Sequence, residues 1–253
     1  MLIDLDPVAF QIGPFIVYWY GVFMALAFAA GAWYLYTQAR KRGMDEDFLL
    51  NFTILVILAG IAGARMMFVL INYPQWFIYD PVQVLKIYQG GLAWHGGLLG
   101  GMLAGWWYTS RKGMSFNSLA DLAVPGLAVG YFMIRIANIF NQEILGRSTD
   151  FWFDRWPAQP IGSIIGLTLL ARYFYLKQKS LPTGYQFWSF IFYHQLLRSA
   201  VEEMVRENPL ALGGYIIPHW GLGFFTLAQI STPLIMAFAY WMMRRSYRLP
   251  PAP

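Results

Sequence analysis

Several residues in this chain have the types and spacings that chemistry needs, and all of them stand in apolar stretches. His95 lies in GGLAWHGGLLGG, a titratable imidazole among glycines and large apolar side chains. Arg135, Asn138 and Asn141 recur every three residues in RIANIFNQEILGR, with Glu143, Gly146 and Arg147 behind them. His194, Arg198, Glu202 and Arg206 recur every four, a spacing that makes one polar stripe on a helix. Arg65 and Tyr20 stand singly. His95 is either filler at a helix edge or a group placed to handle a proton, which a neutral imidazole can accept. An arginine inside an apolar span is costly unless paired or hydrated, and by default it marks function. Arg198 with Glu202 reads equally well as a structural ion pair.

Other chemistries lack their residues. The chain has no cysteine, hence no disulfide and no thiol nucleophile of its own. Its histidines, His95, His194 and His219, fall on different segments without ligand spacing, so no metal and no cofactor is expected. No Gly-x-Ser-x-Gly elbow is present, which argues against a serine lipase. His219 beside Trp220 reads as a structural residue of an aromatic interface belt.

The elements that must carry these residues are membrane helices. Hydrophobic residues make up 58% of the 253 and charged residues 12%, against about 25% charged in soluble domains. Stretches of the length a bilayer requires read as seven spans, at roughly 14–36, 48–71, 91–109, 117–141, 160–177, 184–205 and 222–243. The expectation is an all-α polytopic membrane protein, one integral membrane domain over 1–253 with short extracytoplasmic loops. The opening MLIDLDPVAFQIG carries no basic residue, so insertion through the first span is expected instead of a cleaved signal peptide.

Loop charges orient the spans. Arg40, Lys41, Arg42, Arg111, Lys112, Lys177, Lys179, Arg244, Arg245 and Arg248 flank one side; the opposite loops hold Lys86, Arg147, Arg155 and Arg206. The positive-inside rule puts the N-terminus outside and the C-terminus in the cytoplasm. The net charge of +5 is thereby spent on topology, and no nucleic-acid partner is expected. Arg172 lies near a cytoplasmic helix end and can snorkel. In this orientation Tyr20, Arg65, His95, Arg135, Asn138, Asn141, His194, Arg198 and Glu202 all fall toward the extracytoplasmic side. Gly97, Gly101 and Gly105 have the spacing of close helix packing, and Gly96 and Gly97 would also clear room for a bulky ligand beside His95.

In this order the motifs resemble the prolipoprotein diacylglyceryl transferases of bacterial membranes, over most of the chain. DPVAFQIGPFIVYWYG, with Tyr20, resembles the family's opening. GARMMFVLINYP resembles the segment with its arginine, here Arg65. GLAWHGG resembles the histidine-diglycine motif. RIANIFNQEILGR resembles the signature, and Arg135, Asn138, Asn141, Glu143, Gly146 and Arg147 occupy the matching positions. Arg198 with Glu202 resembles the arginine and acid of the sixth span, and AQISTPL the start of the last. Departures lie at WPAQPIG, where Trp156, Ile161 and Gly162 replace His, Tyr and Glu, and at His194, where a tyrosine is usual. The loop before WPAQPIG is short, so the extracytoplasmic head looks trimmed.

The resemblance implies transfer of a diacylglyceryl group from phosphatidylglycerol to the lipobox cysteine of a prolipoprotein signal peptide, in the plasma membrane and without a cofactor. Arg135 and Arg198 would clamp the phosphodiester, since a guanidinium fork matches phosphate oxygens. His95 would be the base. Asn138, Asn141 and Glu143 would position the glycerol or orient the arginines. Tyr20 could donate to the phosphate, and Arg65 could be an ion-pair partner behind them. A divergent homologue that binds anionic phospholipid but serves another acceptor or is inactive, and a transporter with arginine-lined anion sites, are the competing classes.

Overall fold

The computed structural model describes residues 5–13, 15–87 and 90–248, and it is mostly helical. Among these residues three helices are long and apolar enough to cross a membrane: α1 (Trp19–Lys41), α2 (Glu46–Asn72) and α6 (Phe116–Phe140). The other expected spans are present as helices. They are α5 (Trp94–Arg111), α7 (Ala158–Lys177), α8 (Tyr185–Leu197) with its continuation, and α10 (Leu227–Ser246). Glycine in α5 and polar residues in α7 and α10 dilute the apolar signal of these segments.

The expectation of an all-α chain is corrected at two places. Strands β1 (Val8–Ile12) and β2 (Phe15–Tyr18) form an antiparallel hairpin that runs directly into α1. Residues 15–18 therefore belong to a strand, and α1 runs from Trp19 to Lys41; position 14, where the first span was expected to begin, lies outside the described residues. Strands β3 (Leu210–Ile217) and β4 (Leu222–Thr226) form a second hairpin ahead of α10. The seventh segment begins five residues later than its hydropathy suggests, because Thr226 and Gln229 build a capping box that starts the helix there. Hydropathy alone does not separate an apolar strand from the helix it feeds.

By internal contacts the chain divides into two compact units, residues 36–119 and residues 5–35 with 120–248. In the first, α2 and α5 pack antiparallel along a glycine-lined seam. A Cβ on Gly96 would overlap the Gly63 carbonyl, and one on Gly100 would overlap that of Ala59. Gly97 and Gly101 meet their neighbours at ordinary contact, 3.5 Å. Gly96 and Gly100 are thus the close-packing pair, and Gly96 is filled by α2 instead of clearing space for a ligand. Asp45 caps α2 by accepting from the Phe48 amide at 2.8 Å. The short helices α3 (Trp76–Tyr79) and α4 (Pro81–Leu85) lie in the connection from α2 to α5.

In the second unit, α1 meets α6 where Gly31 and Gly126 approach backbone to backbone. The start of α1 rests on the end of α6 through Trp19, Phe23 and Phe140, with ring centroids 5.4 to 6.0 Å apart. Gly166 of α7 lies on the Phe132 backbone of α6. Asp121 of α6 caps α8, accepting from the amides of Gly184 and Phe187 at 2.6 and 2.8 Å. Arg172 donates to Ser189 at 3.0 Å and lies over the Tyr193 ring, so its head is held within the unit. Past α8 the chain makes a π-turn (Arg198–Glu202) and a single turn α9 (Glu203–Val205).

Candidate functional site

The site is built on α6, the π-turn and the segments that follow each. Arg135 and Asn138, one helical turn apart, are both buried, at 6% and 1% exposure. Glu202, at 0%, sits opposite with its Oε1 2.8 Å from Arg135 Nη2. That contact is a charge pairing more than an aligned hydrogen bond. Arg135 Nη2 also donates to the Tyr131 hydroxyl at 3.0 Å, and Tyr131 donates in turn to Glu202 Oε2. The guanidinium lies 4.5 Å over the Tyr131 ring. His194, 1% exposed, meets Tyr131 edge to face at 4.5 Å and stacks on Phe190.

Arg198 pairs with Glu203 at 3.7 Å, and Glu203 Oε1 accepts from the Asn208 amide at 2.5 Å. The Asn208 carbonyl accepts from Arg147 at 2.8 Å. The expected Arg198–Glu202 pair is therefore corrected: Glu202 serves Arg135, and Glu203 serves Arg198. The four-residue stripe is corrected with it, because the π-turn breaks the spacing and Arg206 leaves the helix in extended conformation to bridge Gly146. Burial holds the Arg206 guanidinium below its ordinary pKa and nearby Arg135 adds to the push, while Glu203 and Glu202 oppose it.

The surplus in this cluster is of donors. Arg135 Nε, Asn138 Nδ2, Arg147 Nε and Arg206 Nε are buried without an acceptor among the described residues, against two carboxylate oxygens, Glu202 Oε1 and Glu203 Oε2, that make charge pairs but no aligned hydrogen bond. Buried polar groups are ordinarily satisfied, so a set of unmatched donors marks a place for an acceptor from outside the chain. Cationic nitrogens with amide donors select an anion, and a phosphate offers the oxygens to meet several at once.

The signature loop after α6 is shaped for close approach. Glu143 is exposed, accepts from Asn141 Nδ2 at 3.5 Å, and offers its carbonyl to Gln159. Ile144 holds φ at 59°, a costly conformation for a β-branched residue. Gly146 lies against the Trp156 backbone so closely that any Cβ would overlap its carbonyl. Tyr20 is half-buried at the start of α1, within electrostatic reach of Glu143 and Arg135.

The departures in WPAQPIG have structural work. Trp156 Nε1 donates to the Trp220 carbonyl at 2.7 Å, tying the loop to the β3–β4 hairpin. His219, at the hairpin tip, contacts Asp150 at 2.5 Å, and its carbonyl accepts from Thr149. Gly162 makes room for the stem of Arg135, since a Cβ there would lie 2.6 Å from its Cδ and Nε.

Arg65 and His95 belong to the other unit. Arg65 is buried, and its donors go to backbone carbonyls: Val84 at 2.9 Å, Gln83 at 2.7 Å, Gly90 at 2.6 Å and Gly91 at 3.3 Å. The expectation of an ion-pair partner is corrected. Arg65 collects the last carbonyls of α4 and the corner before α5, where a cation is favoured. Gly90 and Gly91 supply the positive φ, 81° and 76°, of that corner. His95 is half-buried in the first turn of α5.

Tyr131, Glu203 and Asn208 carry this arrangement and were not singled out from the sequence, while Gly162 stood there only as a departure from the family pattern. Tyr131 has a signal, its place one turn before Arg135; Glu203 and Asn208 have none until the π-turn is known.

A protein-family model of the prolipoprotein diacylglyceryl transferases matches residues 7–244. A relative from Thermoanaerobacter pseudethanolicus is 59% identical over 241 residues, covering 95% of this chain and 94% of its own. One from Caldanaerobacter subterraneus subsp. tengcongensis is 56% identical over 242 residues, covering 96% and 94%. One from Deinococcus radiodurans is 33% identical over 308 aligned residues, covering 98% and 89%. Each bears the name phosphatidylglycerol–prolipoprotein diacylglyceryl transferase. The matched span takes in both hairpins, the arginine cluster and all but the end of α10, and this chain belongs to the prolipoprotein diacylglyceryl transferase family.

Proposed function

We propose that this protein is a phospholipid-dependent transferase that moves the diacylglyceryl group of phosphatidylglycerol onto the lipobox cysteine of prolipoproteins. The observation that carries the reading is the surplus of buried donors around Arg135 in a chain 56–59% identical to transferases of that name. A sulfur–carbon bond forms, the glyceryl carbon–oxygen bond breaks, and glycerol phosphate leaves. Arg135 and Arg198, with Asn138, hold the phosphodiester. Their charge counts most as the leaving phosphate gains negative charge in a water-poor site. His95 takes the thiol proton; free thiols ionise near pH 8.5, so a base is needed at neutral pH. Tyr20, Asn141, Glu143, Gly146 and Arg147 shape the headgroup end. Arg65 and His194 act through what they hold in place, the α4–α5 corner and the Tyr131 ring.

The same reading makes the chain one integral membrane domain with seven spans, the N-terminus extracytoplasmic, in the bacterial plasma membrane. Loop charges and the family support it. Purified protein given phosphatidylglycerol and a lipobox peptide is expected to yield a thioether-linked product by mass spectrometry. Lipid binding without product in that assay would sink the transferase reading.

A further inference from the structure

We propose that Tyr131 is a positioning residue for Arg135, and that the π-turn is the device that makes this possible by delivering Glu202 to the pair. The inference deepens the function proposed above and rests on it. In an unbroken α-helix Arg198 and Glu202 would be stacked neighbours four apart and would pair with each other. In the π-turn the Glu203 amide donates to the Arg198 carbonyl, one residue further along than an α-helix allows. Glu203 thereby falls to Arg198, and Glu202 is turned across to α6. Gln229 of α10 donates to the Ser199 carbonyl at 3.1 Å, giving a carbonyl of the turn a partner. Two adjacent glutamates serve two arginines from different elements.

Tyr131 completes the arrangement. A carboxylate facing a guanidinium tends to take two of its nitrogens. Here Glu202 Oε2 is occupied by the Tyr131 hydroxyl, and both Glu202 Oε1 and Tyr131 Oη converge on one nitrogen, Arg135 Nη2. The Tyr131 ring beneath the guanidinium and the bare backbone at Gly162 fix its plane and its stem. Arg135 Nε carries no hydrogen bond to a described residue. The phenol thus holds the acid to one corner of Arg135 and keeps other donors for an anionic headgroup, with little left to order on binding. Without it, Glu202 can swing to a two-nitrogen grip and compete with that headgroup.

The test is binding of a fluorescent phosphatidylglycerol to the purified full chain in detergent micelles, with transfer to a lipobox peptide measured alongside. Tyr131→Phe keeps the ring. It should weaken binding about tenfold, the equivalent of one hydrogen bond to a charged group, with an unchanged melting temperature. In an Arg135→Lys background, which has no fork to protect, the same change should alter binding less than about twofold. Wild-type affinity in Tyr131→Phe, or an equal loss in both backgrounds, overturns the proposal. Wild-type protein that binds the lipid but transfers nothing removes the transferase reading alone; one that binds no phosphatidylglycerol overturns both.

Discussion

At the scale of single residues, the cluster shows how a buried arginine can be both stable and available. Removing Arg135 outright would strand Glu202 as a buried, unpaired carboxylate, a loss of about 3–5 kcal/mol that confuses folding with function. Arg135→Lys keeps the charge and removes the fork. It is expected to lower turnover about 100-fold with the protein still folded, and an unchanged rate would argue against phosphate clamping. His95→Ala is expected to cost at least about 100-fold if His95 takes the thiol proton; full turnover in that variant ends its assignment as base. Arg135, Asn138 and Arg198 were legible as costly polar groups in apolar sequence. Their partners were not: pairing depends on which of two neighbouring glutamates faces which helix, and one inserted turn residue reverses that.

At the scale of elements, glycine spacing pointed to close packing, which Gly97, Gly101 and Gly105 do line, but it left out the tighter row. Gly97, Gly101 and Gly105 have the expected period, yet Gly96 and Gly100 share it and face the α2 backbone. Only the rotation of α5 about its axis decides between two equally periodic rows. Gly96→Val is expected to cost about 3 kcal/mol or more, seen as a lowered melting temperature, because α2 must move away. Gly97→Ala meets its neighbours at 3.5 Å and should be close to neutral. Equal effects of the two would contradict the packing. The hairpins before α1 and α10 escaped the sequence reading for a related reason: their apolar residues are contiguous with those of the helices, and capping at Thr226 sets the boundary. Arg65 is the converse case. It was visible as an anomaly, but its partners are backbone carbonyls, which leave no mark in side-chain pattern.

At the scale of the whole molecule, the distribution of charge implies an orientation that can be tested directly. The chain has no native cysteine, so single-cysteine variants report without background. Trp152→Cys, on the 141–157 loop and 93% exposed, is expected to react in intact cells with a membrane-impermeant maleimide. Lys41→Cys and Arg111→Cys are expected to react only after the cells are opened. Labelling of Arg111→Cys in intact cells would reverse the proposed topology.

Composition, helical segments and the family were determined by the sequence alone, because apolar length, loop charge and short motifs are local properties that survive without coordinates. The tertiary structure decided the ion-pair partners, the π-turn, the role of Arg65 and the room that Gly162 leaves for Arg135. Each of these depends on how an element is rotated and what it faces across a helix interface, and no spacing along one chain segment encodes that.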